Sequence, residues 1–99
     1  MTMRHVMIRY KTSAETAETN AALVRAVFDE LRARKPDGLR YTSYRLPDGV
    51  TFLHVAMHTT QGENPLTSLA SFKAFQKDLP ARCVEAPALT ELTPVDTYG

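Results

Sequence analysis

An α+β fold with the element order β-α-β-β-α-β is predicted by three features of the sequence. Residues 38–58, GLRYTSYRLPDGVTFLHVAMH, form two alternating arms around a Pro-Asp-Gly turn, the pattern of a β-hairpin. A long helical stripe precedes the hairpin, and a second stripe followed by a last alternating segment comes after it. In the second arm Phe52, His54, Ala56 and His58 alternate with Leu53, Val55 and Met57, so both faces favour burial and the strand belongs near the middle of a sheet.

Each element has its own signature. At 3–10, Arg4, Val6, Ile8 and Tyr10 alternate with Met3, His5, Met7 and Arg9, which predicts a first strand with Val6 and Ile8 in the core. Thr12 followed by Glu15 fits a capping box, and the helix that follows carries Leu23, Val24, Val27, Phe28 and Leu31 on one face. Arg32, Arg34 and Lys35 crowd its last turn as a solvated basic end, and Pro36 with Gly38 stops it. After a polar loop around Gly62, Asn64-Pro65 starts a second helix running to about 79, with Leu66, Leu69, Phe72, Phe75 and Leu79 as its stripe and Pro80 stopping or bending it. A last strand is expected over 88–95, with Pro87 before it and Pro94 near its end, which places it at a sheet edge or at a crossover to a partner chain. The tail at 96–99 is expected to be loose unless a dimer pins it.

This order is the split βαβ arrangement of ferredoxin-like folds: right-handed crossovers put both helices on one face of a four-stranded antiparallel sheet, with the first and third strands central. The other face is left uncovered. Met7, Tyr41, Phe52 and Ala56, assigned to that face by parity, make too apolar a patch for water.

Composition narrows the function classes. A chain of 99 residues is a single domain over 1–99, with 43% hydrophobic and 23% charged residues as in ordinary soluble proteins. A chain of this size buries roughly 60 to 70% of its unfolded surface, so a second copy is a natural way to complete the wall of a deep pocket. With 12 Lys and Arg against 11 Asp and Glu, and no basic stripe, nucleic acid is not expected as a partner. MTMRHVMIRY holds no apolar run of signal-peptide length and nothing approaches the roughly 20 apolar residues of a membrane span, so a cytoplasmic protein is expected. The single cysteine, Cys83, reads as a plain thiol.

The run KPDGLRYTSYRLPDGVTFLHV resembles the proline-glycine, Tyr-x-x-Tyr-Arg and apolar-strand pattern of the antibiotic-biosynthesis-monooxygenase-like domains of the dimeric α/β barrel superfamily. LASFKAFQKDL followed by ALTELTPV is similar to the second helix and last strand of the same domains. The resemblance implies a homodimer whose sheets face each other, with one pocket per subunit between sheet and helices or within the barrel. It also implies oxidation of an aromatic or polyketide-like compound without metal or flavin, resting on substrate acidity and polar pocket residues. Two departures stand out. Many active relatives carry a Trp at the end of the third strand, where this chain has Ala56, Met57 and His58; the Asn, Trp and His set of haem-degrading relatives is missing.

The candidate chemistry lies in His5, His54 and His58, because imidazole takes a proton near neutral pH. His5 and His54 are expected on one side of the sheet, sharing a pocket as candidate bases, with His58 at the rim. Tyr41, Tyr44, Arg45 and Phe52 are the candidate substrate-binding groups, the polar ones orienting a phenolic or quinone oxygen. The bland readings are a core histidine at 54, tied to a backbone carbonyl or a partner side chain, and ordinary cross-strand pairing in the hairpin. No metal site is expected, since no carboxylate or thiol accompanies the histidines at ligand spacing. Two functions follow: a small cofactor-independent monooxygenase, or a non-catalytic dimeric barrel that binds a small hydrophobic ligand or serves as an assembly module.

Overall fold

In the computed structural model, which describes residues 3–59 and 64–98, the elements follow the expected order. They are β1 (Met3–Thr12), α1 (Ala17–Arg34), β2 (Leu39–Arg45), β3 (Thr51–Thr59), a 3-10 turn (Pro65–Ser68), α2 (Ala70–Lys77), a final helical turn α3 (Leu79–Arg82) and β4 (Cys83–Leu92). The sheet order is β2-β3-β1-β4 with every neighbouring pair antiparallel, so β1 and β3 occupy the centre.

Register decides what each face carries. Val6 pairs with Ala56, Ile8 with His54 and Tyr10 with Phe52, while on the other side of β3 Tyr41 pairs with Ala56 and Arg45 with Phe52. These residues therefore share one face, and it is the face the helices cover: Tyr10 and Phe52 join Ala21, Val24 and Val27 of α1 and Leu69, Phe75 and Leu79 in the buried core. Tyr41, Phe52 and Ala56 thus lie under the helices, not on the uncovered face expected for them; of that group only Met7 faces away. The largest side chains went where two helices remove them from water, and a parity error of one residue reverses a whole strand. The uncovered face carries Met7, Leu53, Val55 and Met57, all half-buried by their neighbours within the sheet.

The helix ends differ from the sequence reading in instructive ways. Thr12 ends β1, buried, with its hydroxyl donating to the Val50 carbonyl at 3.1 Å, so it cannot cap a helix. A Ser13–Thr16 turn replaces the capping box: the Thr16 N–H donates to Ser13 Oγ and the Thr16 hydroxyl to the Arg82 carbonyl at 2.9 Å. Lys35 rather than glycine terminates α1, adopting a left-handed conformation (φ 49°) while its N–H returns to the Leu31 carbonyl. Arg34 pairs with Glu30 and Arg32 with Asp29 at that basic end.

Asn64 caps as expected, its side chain accepting from the Leu66 N–H at 3.0 Å, but the helix it starts is broken. Leu69, 1% exposed, sits in extended backbone between the 3-10 turn and α2, because burying its side chain outweighs one turn of helix hydrogen bonds. Pro80 stands in the first turn of α3, where its missing N–H costs nothing, so it begins a turn instead of ending one. The loop expected around Gly62 falls at 60–63, outside the described residues.

β4 begins five residues earlier than expected and ends at Leu92. Pro87 lies within it, at a register shift where Arg9 pairs with Ala88 but Lys11 with Glu85, so a bulge absorbs the residue that cannot donate to the ladder. β4 is an edge strand, as its prolines require, and Val95 and Tyr98 beyond it are fully exposed.

Candidate functional site

A cleft of about 550 Å³ opens between α1 and the edge strand β2. Ala21, Val24 and Phe28 form its apolar wall, Phe52 and Tyr41 its floor, and Arg25, Arg32 and Arg45 its charged rim. The i, i+3, i+4, i+7 spacing of α1 puts the wall residues in one row, and the alternation of β2 turns Tyr41, Ser43 and Arg45 toward it.

Tyr41 is the pivot of the site. Its ring stacks on Phe28 at 5.0 Å between centroids and 5° between planes, and its hydroxyl lies 2.8 Å from His54 Nδ1. The other imidazole nitrogen, Nε2, lies 2.7 Å from the Tyr10 hydroxyl. Tyr10 Oη also accepts a 2.8 Å hydrogen bond from Asn20 Nδ2. Asn20 Oδ1 accepts from Arg82 Nε at 3.1 Å, and Arg82 donates through a second nitrogen to the Phe75 carbonyl at 2.7 Å. A continuous polar chain therefore runs from Arg82 through Asn20, Tyr10 and His54 to Tyr41, beneath both helices. Tyr10, Asn20 and His54 are all nearly inaccessible, at 1%, 0% and 3% exposure.

Burial governs the proton affinities along this chain. It lowers the His54 imidazole to a pKa of about 4, leaving it neutral at physiological pH. It raises the Tyr10 phenol to about 12, against the opposing hydrogen bond from Asn20, and it raises Tyr41 as well, with neighbouring Tyr10 adding to the effect. Both phenols are held as donors.

The candidate residues are thereby sorted. His54 is buried behind Tyr41 and does not line the cleft, with both ring nitrogens tied to side chains. His5 pairs with Met57 in register and lies on the opposite sheet face, so the pocket expected to hold both imidazoles does not form. His58, expected at the rim, is buried, its Nδ1 donating to the Thr59 carbonyl at 3.1 Å. Arg45 lies on the rim, donating to Glu18 and to the Gly49 carbonyl while its guanidinium sits over Phe52 at 5.5 Å. Tyr44 borders the cleft along the edge strand, but pairs with Leu53 and is 53% exposed. Asn20, Tyr10 and Arg82 were missed. Asn20 falls on the buried stripe of α1 four residues before Val24, and a polar residue there was the available signal. Cys83 is a half-buried free thiol whose pKa burial raises. Among the described residues no group of three metal-ligating side chains converges, and no helix is long and apolar enough to cross a membrane.

The backbone is similar to a set of solved structures. A protein from Mycobacterium tuberculosis shares 20% identity at a TM-score of 0.75, over 99% of this chain and all of the other. A protein from Nitrosomonas europaea, provisionally named an antibiotic biosynthesis monooxygenase, shares 12% at 0.77 over 98% of this chain and 94% of its own. Another antibiotic biosynthesis monooxygenase shares 13% at 0.72 over 96% and 100% of the two chains. No family model matches the sequence, and no curated protein matches it. What these likenesses establish is architecture: this chain has the ferredoxin-like fold of the antibiotic-biosynthesis-monooxygenase-like proteins.

Proposed function

We propose that the cleft beside Tyr41 binds a small aromatic or polyketide-like compound and that the protein oxidises it with dioxygen as a cofactor-independent monooxygenase. The observation that carries this reading is the placement of Tyr41, a phenol kept protonated by burial, at the floor of a 550 Å³ cleft walled by Phe28 and Phe52. That volume lies in the usual range for small-molecule sites, and the stacked rings offer a flat apolar surface to an aromatic guest. In the reaction, an acidic CH2 between aromatic and carbonyl groups releases a proton to water at the open mouth. The resulting enolate, its oxygen hydrogen-bonded by Tyr41, reduces dioxygen. One oxygen atom is retained as a new C=O and the other leaves as water, so both CH2 hydrogens and both oxygens are accounted for. His54 acts behind Tyr41 and touches no substrate.

The working form is a cytoplasmic homodimer joined through the uncovered sheet face, where Met7, Leu53, Val55 and Met57 supply the apolar contact. The second reading, a non-catalytic barrel that binds a small hydrophobic ligand, is favoured by one observation: both nitrogens of His54 are already engaged. Oxygen uptake with anthrone-like and dihydroxyaromatic compounds, without added metal or flavin, separates the two. Turnover that falls about 10²-fold in Tyr41→Phe, as for a lost oxyanion donor, supports the oxygenase. Binding without oxygen uptake supports the binding module.

A further inference from the structure

The buried chain has a direction, and its partners fix it. Arg82 can only donate, so the Asn20 atom facing its Nε must be the carbonyl oxygen; the reversed amide would set an N–H against an N–H. Asn20 therefore presents its NH2 to Tyr10 Oη. Tyr10 accepts there and must place its own proton elsewhere. Among the described residues the one acceptor bonded to it is His54 Nε2, at 2.7 Å. If Nε2 carried a proton instead, Tyr10 would accept twice and its O–H would be buried without an acceptor, which is expensive in a site this dry. Nε2 is thus bare. A neutral imidazole then carries its proton on Nδ1 and donates it to Tyr41 Oη at 2.8 Å. With that lone pair occupied, the Tyr41 hydroxyl proton is left for whatever enters the cleft.

Electrostatics act in the same sense. Arg82 is 6% exposed, and among the described residues no carboxylate pairs with it. Its positive charge sits at one end of the chain, and O–H and N–H dipoles pointing away from it are favoured over the reverse.

We propose that Arg82 and Asn20, through Tyr10, are positioning residues that hold His54 as the Nδ1–H tautomer, so that Tyr41 offers a proton to the cleft and its ligand there presents a carbonyl or phenolate oxygen. The tautomer follows from the chain itself; only the ligand class rests on the aromatic-compound reading above. The consequence is that His54 cannot take a proton from Tyr41 in this arrangement, since its near nitrogen is already protonated.

Long-range nitrogen–proton NMR correlation on the 15N-labelled full chain at neutral pH reads this directly. His54 should show a protonated Nδ1 and a bare Nε2. Asn20→Asp, nearly isosteric, turns the donor that faces Tyr10 into an acceptor. Tyr10 then donates to the introduced carboxylate, accepts from Nε2–H, and the two nitrogen shifts of His54 exchange. A protonated Nε2 in the parent, or an unchanged Nδ1–H tautomer in Asn20→Asp, overturns the positioning role; should Asn20→Asp fail to fold, the parent spectrum alone decides. For the ligand class, 1,8-dihydroxyanthraquinone should bind Tyr41→Phe about three- to tenfold more weakly than the parent, the worth of one hydrogen bond, with anthracene unaffected. Equal losses for both probes, or binding of neither, overturn the ligand class and leave the tautomer result standing.

Discussion

His5 and His54 lie on opposite faces of the sheet, because β1 pairs His5 with Met57 but Ile8 with His54. Only His54 is sealed under the helices, and its stability effect has a definite sign. Its pKa drops from 6.5 to about 4 on burial, so between those values the unfolded chain binds a proton that the folded chain refuses. The group's stabilisation is complete above the unfolded value and declines as the pH falls, by about 3 kcal/mol at pH 4. Urea midpoints of the parent and His54→Gln between pH 7.5 and 4 should converge accordingly. Parallel profiles would count against a neutral buried imidazole.

Asp48 titrates in a separate window. Its carboxylate accepts the Thr51 hydroxyl at 2.6 Å and the N–H groups of Val50 and Thr51, each at 2.9 Å, which holds it at about 2. Its contribution is present above the usual carboxylate value and lost as the pH falls toward 2. Asp48→Asn should lower the melting temperature at pH 6, and the deficit should vanish near pH 2. A deficit that persists there would mean that turn geometry, not charge, is responsible.

Leu69 and Phe28 test how burial grades the cost of truncation. Leu69 is 1% exposed inside the core, so Leu69→Ala should cost about 2 to 5 kcal/mol. Phe28 is half-buried against Tyr41 at the cleft, so Phe28→Ala should cost less, about 2 kcal/mol, and should also loosen Tyr41. Arg25→Ala, on the exposed rim, should stay within about 0.5 kcal/mol. Chemical denaturation of the three variants checks the ranking, and a Phe28 loss equal to that of Leu69 would reverse it.

Val55 stands mid-strand on the uncovered face, opposite Met7. If that face joins two copies, the parent should sediment at about twice the 11.1 kDa chain mass at micromolar concentration, and Val55→Asp should sediment as a monomer. A parent that is a folded monomer would exclude the barrel.

The frame was legible because it rests on local signals: the Pro47-Asp48-Gly49 turn, the stripe from Leu23 to Leu31 and the Asn64 cap each specify their element within a few residues. Parity between strands was not legible. It depends on long-range register, and β2, β3 and β1 each offer apolar groups on two faces, so Tyr41 and Phe52 were assigned to the wrong side and His5 to the wrong pocket. Boundaries slipped at Thr12 and Leu69, where tertiary burial overrode propensity, and at Pro87, where a bulge admits the proline into the strand. Tyr41, Phe52 and Arg45, singled out by type and position, do line one cleft. Asn20 and Arg82 were not, because a polar residue on a helix stripe and an arginine beside a proline-bearing turn look like surface until the partner they share is known.

The bulge at Pro87 bears on how this sheet meets other chains. An edge strand invites lateral extension by a foreign strand, the first step of aggregation, and a bulge that bends the edge works against such pairing. Glu85 adds negative charge along the same border, while Glu91 is paired with Arg4 at 2.6 Å. On the opposite border β2 is occupied with lining the cleft. Growth of the sheet in its own plane is thus discouraged at the β4 border.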